Sequence, residues 1–373
     1  MERKRLGLII NPIAGIGGRV GLKGSDGANI QQKALALGAQ PQSHLRAALA
    51  LEALLSLRDT LELVTPPGGM GENIARECGF APLVIGTPPP GPTSAEDTLR
   101  AGREMLDHPV DLLLFAGGDG TARDIYTACG VRVSVLGIPA GVKIHSAVFA
   151  TQPRAAGEIA AAYLRGAHMH LRESEVLDLD EEAYRRGIVR TQLYGYLKVP
   201  YRAHLLQNCK EPTPAAESAR GEAIAEAVVE SMQPGWIYIL GPGTTTRAIA
   251  TRLGFPKTLV GVDVYTRAGV VALDVNESCL LELLETRLAK IIVTPIGGQG
   301  FLFGRGNQQI GPRVLQKVGR GNILVISLSE KLIALKGEPF LVDTGDPTVD
   351  EMLAGYLPVI TGYREKVVYR VAS

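Results

Sequence analysis

The segment that most constrains the fold is LLLFAGGDGTARDIYTA, residues 112–128. It opens with an unbroken apolar run, Leu112 to Ala116, which is typical of a buried parallel strand. Glycines around Asp119 follow, and a helical pattern starts at Thr121. Glycines permit a sharp turn close to a ligand, and a helix start offers unpaired N–H groups to an anion. The segment therefore predicts a strand–turn–helix phosphate site with a carboxylate for metal handling or proton abstraction.

Short apolar runs alternate with helical patterns over residues 1–150. Strands are predicted at Leu6–Ile10, Leu61–Thr65, Leu83–Ile85, Leu112–Phe115 and Val133–Gly137, and helices near Gln31–Leu37, Ser43–Ser56, Gly71–Cys78, Ser94–Leu106 and Thr121–Ala128. Such alternation is typical of a doubly wound parallel sheet, on which ligands collect at the carboxyl ends of the strands. We predict an α/β fold with a Rossmann-like nucleotide-binding domain at residues 1–150.

The pattern changes after residue 150, and a chain of 373 residues is expected to hold two domains. A helix near Ala155–Arg165 precedes alternation typical of an antiparallel meander, so a mostly β domain is predicted over residues 151–373. A helical stretch at Ala215–Met232 and the strand Trp236–Leu240 indicate an α/β subdomain inserted at about residues 213–290. The β domain is expected to resume with Ile291–Val293 and Ile323–Ser327.

The composition limits the partners of the protein. The chain has 39 basic and 38 acidic side chains, so it has no global field for nucleic acid or an anionic membrane. No apolar run approaches the roughly 20 residues of a membrane span, and the opening MERKRLGLIINP predicts a first strand rather than a signal peptide. The four cysteines show no CxxC or Cys/His pairing. We expect reduced cysteines and a cytoplasmic protein without nucleic-acid or membrane partners.

Three motifs of the first domain carry a family resemblance. GGDGT at residues 117–121 resembles the signature that NAD kinases share with diacylglycerol and sphingosine lipid kinases, and NPIAG at residues 11–15 resembles the NPxxG opening of the same superfamily. GIPAGVKIHS at residues 137–146 is most similar to the ATP-NAD kinase-like group that includes acetoin catabolism protein X. It departs from the lipid kinase and NAD kinase patterns by offering Lys143 and His145.

The resemblance implies an ATP-dependent kinase that uses Mg²⁺ and phosphorylates a hydroxyl of a nucleotide-like small molecule, by default NAD to NADP. Asp119 would deprotonate the acceptor or hold it through Mg²⁺, and Lys143 would meet the charge on the transferring phosphoryl group. NAD kinases assemble through their second domain, so a homo-oligomer is expected. The implied phosphate-binding residues are Asn11, Gly15, Gly117, Gly118, Gly120, Thr121, Gly141 and His145.

A second glycine turn, GPGTTTR at residues 241–247, is similar to the GxGTT loops of the ribose-phosphate isomerase and glucosamine-phosphate deaminase fold. Adjacent hydroxyls at a helix start suit a phosphate, although threonine is also a preferred helix cap, so an ordinary capped helix is the alternative. The residues of this second candidate phosphate site are Gly241, Gly243, Thr244, Thr245, Thr246 and Arg247.

The segment TPIGGQGFLFGRGNQQIGP, residues 294–312, resembles in placement and spacing the TPTGSTAY segment of NAD kinases. The hydroxyls and the tyrosine of that segment are replaced, so we expect a different head group to be recognised; a structural glycine turn is the alternative. The predicted acceptor-recognition residues are Asp263, Thr294, Gly297, Gln299 and Asn307.

Two other functions are compatible with these motifs. One is a kinase for a sugar phosphate or another polar metabolite held by GPGTTTR. The other is a non-catalytic sensor of a phosphorylated ligand. For either kinase the sequence leaves the donor open between ATP and polyphosphate. ATP binding without consumption of an acceptor would favour the sensor.

Overall fold

The computed structural model describes residues 3–22, 28–89, 91–142, 144–179, 191–202, 205–207 and 218–373. Contacts divide the chain into two units: unit 1 is Met1–Ile16 with Gly24–Cys209, and unit 2 is Gly17–Lys23 with Lys210–Ser373. The two units are defined by contacts between residues of the chain, and they do not test where one domain of the sequence ends and the next begins. The domain boundary at residue 150 and the insertion at about 213–290 therefore stay predictions.

Unit 1 is built on five parallel strands. They are β1 (Lys4–Ile10), β2 (Leu61–Thr65), β3 (Leu83–Val84), β4 (Leu112–Gly117) and β5 (Val135–Pro139), in the sheet order β3-β2-β1-β4-β5. The chain reverses its direction of winding between β1 and β4, which makes this the topological switch point. β4 is buried along its whole length, as its continuous apolar run requires. The predicted doubly wound parallel sheet is confirmed.

Six helices are described in unit 1. They are α1 (Ala28–Ala36), α2 (Ser43–Glu52), α3 (Glu72–Glu77), α4 (Ala95–Asp107), α5 (Asp119–Cys129) and α6 (Pro153–Leu164). Helix α4 starts at a capping box, in which Ser94 and Asp97 satisfy each other's backbone N–H groups. Helix α2 packs on α6 and α4 packs on α5, while α2 and α4 both contact β1. The alternation of strand and helix thus produces the layered packing that the sequence indicated.

An antiparallel pair completes unit 1, where the sequence predicted an antiparallel meander. Its strands are β6 (Leu171–Leu179) and β7 (Thr191–Pro200), which contact α5 and β5. The pairing register shifts between Val176 and Leu177, which marks a β-bulge. The bulge places the backbone of Leu177 next to the loop that follows β5, as described below.

Unit 2 is built on one nine-stranded mixed sheet with the order β10-β9-β8-β11-β13-β15-β16-β14-β12. Its strands are β8 (Ile237–Leu240), β9 (Asp263–Thr266), β10 (Gly269–Ala272), β11 (Ala289–Val293), β12 (Phe301–Phe303), β13 (Ile323–Ile326), β14 (Phe340–Val342), β15 (Gly355–Gly362) and β16 (Glu365–Ala372). Strands β8, β11, β13 and β15 run parallel to their neighbours in this group. A mostly β second half was predicted and is confirmed. Strands β8 to β10 share this sheet with the later strands.

Both faces of the unit 2 sheet carry a core. Ile237 and Ile239 of β8 lie in one hydrophobic cluster, and Tyr238 and Leu240 lie in another, as the two-residue period of a strand requires. The described helices of this unit are α7 (Ser218–Glu230), α8 (Thr244–Leu253), α9 (Glu277–Leu283), α10 (Pro312–Val318), α11 (Ser329–Ala334) and α12 (Pro347–Leu353). Among the residues that the structure describes, no helix is long and apolar enough to cross a membrane.

Candidate active site

Three loops meet at the switch point of unit 1. Asn11 directly follows β1; its backbone N–H donates to Ala116 O at 3.0 Å, and its Nδ2 donates to Thr121 Oγ1 at 3.0 Å. The carbonyl of Gly117, at the end of β4, accepts the backbone N–H of Gly141 at 3.0 Å. The loops after β1, β4 and β5 are therefore joined by direct hydrogen bonds.

Gly15 is the position at which the NPIAG loop meets the loop after β5. Its φ of +76° lies in the left-handed region, and a Cβ built there would lie 2.1 Å from Ala140 O. Both the conformation and the close approach favour glycine. The glycine of the motif is thus explained by contact between two loops of the same unit.

Asp119 is the first residue of α5, and its carboxylate is surrounded by donors. Oδ2 accepts the backbone N–H of His145 at 2.7 Å and lies 3.1 Å from His145 Nδ1. Oδ1 accepts the backbone N–H of Ser146 at 3.0 Å and lies 2.7 Å from Ser146 Oγ. A carboxylate has about four lone-pair positions, so each oxygen faces as many donors as it can accept. In this conformation Asp119 fixes the His145–Ser146 turn.

The His145 ring lies against the carboxylate of Asp119. Its Nδ1 is 3.1 Å from Asp119 Oδ2, so a protonated Nδ1 would donate a hydrogen bond to that oxygen. The His145 side chain is 3% exposed and that of Asp119 is 5% exposed. Among the described residues, no hydrogen bond to Nε2 of His145 is found. The ring is therefore held through its Nδ1 side.

Two further residues hold the same turn. Ser146 Oγ accepts the backbone N–H of Leu177, at the bulge of β6, at 3.0 Å. Gln207 Nε2 donates to Ile144 O at 3.2 Å and to Ser146 O at 3.4 Å, and Gln207 is 3% exposed. Its Oε1 is buried and has no partner among the residues described. Sequence reasoning missed Ser146 and Gln207; Ser146 stands in the GIPAGVKIHS motif, whereas Gln207 had no signal.

The structure brings the predicted unit 1 residues together, with one exception. Gly118 caps α5, and Gly120 and Thr121 lie in its first turn. Gly141 is half-buried beside the end of β4. The predicted catalytic cation, Lys143, lies outside the described residues.

A separate polar cluster lies in unit 2, where the loops after the parallel strands β8 and β11 meet α11. Lys331 Nζ donates to Thr245 Oγ1 at 3.2 Å and lies 3.5 Å from Thr294 Oγ1. Thr245 is 3% exposed and lies in the first turn of α8. The sequence predicted both threonines but not Lys331. We call these three residues the Lys331 cluster.

The other predicted residues of GPGTTTR divide into two groups. Thr246 Oγ1 donates to Gly241 O at 2.7 Å, so this hydroxyl closes the turn at the start of α8. Gly243 is the N-cap of α8 with a φ of +120°. Thr244 and Arg247 are exposed. The N-cap of α8 is thus a glycine without a side-chain cap, so no threonine caps this helix, and the hydroxyl of Thr245 lies beside a cation that the sequence did not predict.

Asp263 is held in a closed arrangement at the start of β9. Its carboxylate accepts Lys257 Nζ at 3.0 Å, the backbone N–H of Thr258 at 3.0 Å and that of Asp274 at 2.7 Å. The side chains of Lys257 and Asp263 are fully buried. Burial lowers the pKa of Lys257, and the Asp263 charge opposes this shift in part. The structure therefore does not bring Asp263 to the Lys331 cluster, although the sequence grouped Asp263 with Thr294.

The remaining predicted acceptor residues lie in the loops around β12. Asn307 Oδ1 accepts the backbone N–H of Gly304 at 3.1 Å, and its Nδ2 donates to Leu302 O at 2.8 Å, so this amide builds the turn after β12. Gln299 is 6% exposed, and Gly297 is half-buried in the loop that follows Thr294. The use of Asn307 inside the fold agrees with the structural-turn alternative for this segment.

The side chains of the unit 1 site do not fit a Mg²⁺ ion held by the protein alone. Among the described residues, no group of three or more His, Cys, Asp or Glu side chains could hold a metal ion. Both oxygens of Asp119 face donors instead. Mg²⁺ in phosphoryl-transfer sites is usually held by one or two carboxylates together with substrate phosphates.

A doubly wound sheet with glycine turns at its switch point is typical of nucleotide-binding α/β proteins. The family model of the ATP-NAD kinase N-terminal domain matches residues 6–168, and that of the ATP-NAD kinase C-terminal domain matches residues 235–371. Together they cover most of the chain, which belongs to the ATP-NAD kinase family.

Solved structures give weaker similarity. A diacylglycerol kinase from Bacillus anthracis strain Sterne is 15% identical, with a TM-score of 0.27, over 48% of this chain and 47% of that chain. A second structure from the same organism, with the same kinase assignment, is 16% identical, with a TM-score of 0.26, over 48% of this chain and 44% of that chain. The chain thus spans about half the length of these structures. No curated protein matched the chain.

Proposed function

We propose that the protein is an ATP-dependent phosphotransferase that phosphorylates a hydroxyl of a nucleotide-like small molecule, with NAD as default acceptor and NADP as product. The observation that carries the proposal is the meeting of the GGDGT turn with the NPIAG loop and the loop after β5 at the switch point. Backbone N–H groups at such a glycine turn and helix start suit the phosphates of a nucleotide.

The roles of the residues follow from their places in the turn. Gly117, Gly118 and Gly120 shape the phosphate loop, and Asn11 fixes the hydroxyl of Thr121. Asp119 holds the turn that carries His145. In this proposal Lys143 keeps its predicted role as the cation near the transferring phosphoryl group. A homo-oligomer in the cytoplasm is the setting that we propose for the enzyme.

The first test is phosphoryl transfer from ATP with Mg²⁺ to NAD, followed by detection of NADP. Asp119→Asn is assayed in parallel, and Asp107→Asn, at an exposed position at the end of α4, is the matched control. We expect NADP from the wild type and from the control and a loss of product in Asp119→Asn. Far-UV circular dichroism checks that each variant is folded. Full turnover by folded Asp119→Asn would contradict the proposal.

The Lys331 cluster favours a second candidate, a kinase whose acceptor is a sugar phosphate or another phosphorylated polar metabolite. A lysine ammonium beside two hydroxyls and a helix start is a suitable arrangement for a phosphate group. The predicted GPGTTTR residues would then bind the phosphate that the acceptor already carries.

A panel of sugar phosphates in place of NAD tests this candidate. If it is correct, Lys331→Met should raise the KM for the phosphorylated acceptor at least tenfold, and Lys366→Met, at an exposed position of β16, should leave it unchanged. Turnover of NAD that is unaffected by Lys331→Met would eliminate the second candidate. ATP binding without turnover of any acceptor would favour the non-catalytic sensor.

A further inference from the structure

The nine-stranded sheet of unit 2 has a switch point of its own. From β8 the chain continues to β9 and β10 on one side of the sheet, and from β11 it continues to β13 and β15 on the other side. Strands β8, β11 and β13 are adjacent and parallel, so their carboxyl ends lie at one edge of the sheet. In open sheets with parallel strands, ligands bind in the crevice at such a reversal. A ligand of unit 2 is therefore expected at the loops of this edge.

One member of the Lys331 cluster follows each of these three strands. Thr245 lies in the helix after β8, Thr294 is the first residue after β11, and Lys331 lies in the helix after β13. Nζ of Lys331 lies 3.2 Å from Oγ1 of Thr245 and 3.5 Å from Oγ1 of Thr294. Three side chains that are far apart in the sequence thus meet at the carboxyl edge of the parallel strands.

The hydroxyl hydrogens of the two threonines distinguish this cluster from a purely structural contact. A lysine ammonium has donors only, so a hydroxyl that accepts from it keeps its own hydrogen for another acceptor. Among the described residues, no acceptor for the hydroxyl hydrogen of Thr245 or Thr294 is found. Thr245 is 3% exposed, and buried donors in native proteins normally have a partner. Two hydroxyl donors beside a cation therefore point to a ligand that accepts hydrogen bonds.

The glycine turn after β8 leaves room beside the cluster. Gly243 has a φ of +120° and a ψ of 167°, a conformation that is essentially restricted to glycine. A Cβ built at this position would lie 3.4 Å from Cγ2 of Thr294, so a side chain there would occupy space next to the cluster. Gly243 is the N-cap of α8 without a side-chain cap, so the first backbone N–H groups of this helix add donors at the same place. Lys331 and Thr294 are half-buried and Thr244 is exposed, so a ligand can reach the cluster from the surface.

We propose that unit 2 binds a phosphate monoester at the Lys331 cluster, with the ammonium of Lys331 facing its charge and the hydroxyls of Thr245 and Thr294 donating to its oxygens. A phosphate monoester carries close to two negative charges at pH 7 and has three strong acceptor oxygens, which matches an ammonium beside hydroxyl and backbone donors. The ester is either the acceptor of the kinase or an effector that is not consumed. As a site for the acceptor the inference rests on the proposed function, and as a site for an effector it does not.

Isothermal titration calorimetry with inorganic phosphate and with glucose 6-phosphate tests the site, and glucose is the matched ligand without a phosphate. We expect the two phosphates, and not glucose, to bind to the wild type at concentrations up to about 10 mM. Lys331→Met should weaken this binding by about 10–100-fold, the usual loss for a hydrogen bond to a charged group. Lys366→Met, at an exposed position of β16, is the control and should bind as the wild type does. No binding of either phosphate by the wild type, or unchanged binding by Lys331→Met, would overturn the inference.

Thr245→Val is the second variant, because it removes the hydroxyl and leaves Lys331 in place. It should weaken binding of the phosphates by about 3–10-fold, the usual contribution of one hydrogen bond. Thr251→Val, at an exposed position of the same helix, is its control and should keep wild-type affinity. Far-UV circular dichroism checks that each variant is folded. Wild-type affinity in folded Thr245→Val would contradict the proposed role of the hydroxyl.

Turnover with ATP separates the two sources of the ester. Consumption of the bound glucose 6-phosphate would identify the site as one for the acceptor, and binding without consumption would identify it as one for an effector; either result supports the site. NADP formation by a protein that binds neither phosphate would overturn the inference and leave the proposed function intact. Phosphate binding that depends on Lys331 in a protein that forms no NADP would do the reverse.

Discussion

Asp119 in unit 1 and Asp263 in unit 2 are both buried carboxylates enclosed by donors, but they differ in the side chain that faces them. Asp263 faces Lys257, and both side chains are fully buried. The lysine ammonium carries hydrogen-bond donors only, so the pair has no further atom that could accept a proton. Asp119 faces His145, whose ring has a second nitrogen beyond the contact. A carboxylate paired with lysine is therefore a structural anchor, whereas one paired with histidine can influence chemistry at the far side of the ring.

The largest expected effect is on catalysis in unit 1. Asp119→Asn should lower kcat by about 10²–10⁴, because the amide nitrogen of asparagine cannot accept the backbone N–H groups of His145 and Ser146 as the carboxylate does. Unfolding of unit 2, followed through Trp236, should be unchanged. Trp236 is the single tryptophan of the chain, and it packs on a core of unit 2. A shift in the Trp236 unfolding midpoint would show that the two carboxylates are not independent.

The next effect is on stability in unit 2. Asp263→Asn should destabilise this unit by about 3–5 kcal/mol, because it leaves the Lys257 ammonium buried without a negative partner. Urea unfolding monitored by Trp236 fluorescence measures the change.

The double variant Lys257→Met with Asp263→Leu tests the cause. Removing both charges should restore most of the lost stability, since a buried ion pair can often be replaced by apolar side chains at little cost. A double variant no more stable than Asp263→Asn would show that the hydrogen bonds to Thr258 and Asp274, rather than the charge pair, hold β9 in place.

The environments of Asp119 and Asp263 show which parts of the structure could be predicted from the sequence. The apolar run of β4 and the GGDGT turn predicted the strand, the helix and the switch-point site, because hydrophobic period and glycine chemistry are local properties. The pairing of β1 with β4 then places Asn11 beside the GGDGT turn. Predictions of this kind need only the order and direction of the strands.

The hydrogen-bond partners of the polar side chains could not be predicted from the order and direction of the strands. The sequence assigned Asp119 to the ligand and Asp263 to the acceptor, yet the structure turns both carboxylates toward donors within the fold. Gln207 lies more than 60 residues from the carbonyls that it binds, and Lys331 lies 86 residues from Thr245. Periodicity states which face of an element is buried, but it does not state which distant donor a buried carboxylate meets.

A smaller effect tests how tightly the loops around Asp119 are joined. Gly15→Ala should destabilise unit 1 by more than Gly38→Ala. Both glycines have a φ near +78°, but a Cβ at position 15 would meet Ala140 O at 2.1 Å and one at position 38 would meet no atom within 4 Å. The Gly38 variant therefore measures the backbone strain alone, about 1 kcal/mol. Hydrogen exchange of the β4 amides measures the difference in stability between the two variants. Equal destabilisation by both variants would mean that the loop after β1 and the loop after β5 can move apart without loss of stability.

The smallest effect concerns a third carboxylate, Asp97, which faces donors at the start of α4. Burial raises the pKa of Asp97, but the hydrogen bonds from Ser94 and the ion pair with Arg100, at 2.6 Å, outweigh it and hold the pKa below its usual value. A carboxyl with a lowered folded-state pKa contributes stability above its unfolded pKa of about 4 and loses it as the pH falls through the folded value.

Asp97→Asn should accordingly destabilise unit 1 by about 1 kcal/mol at pH 7, the usual worth of a helix cap. Thermal unfolding followed by circular dichroism should show a smaller difference from the wild type at pH 3 than at pH 7, because pH 3 lies below the unfolded pKa and the stabilisation by the lowered pKa of Asp97 shrinks there. Equal differences at the two pH values would show that the Asp97 charge is not what stabilises the cap. The hydrogen bonds of the side chain would then be sufficient, and Asp97 would differ in kind from Asp263, whose contribution depends on its charged partner Lys257.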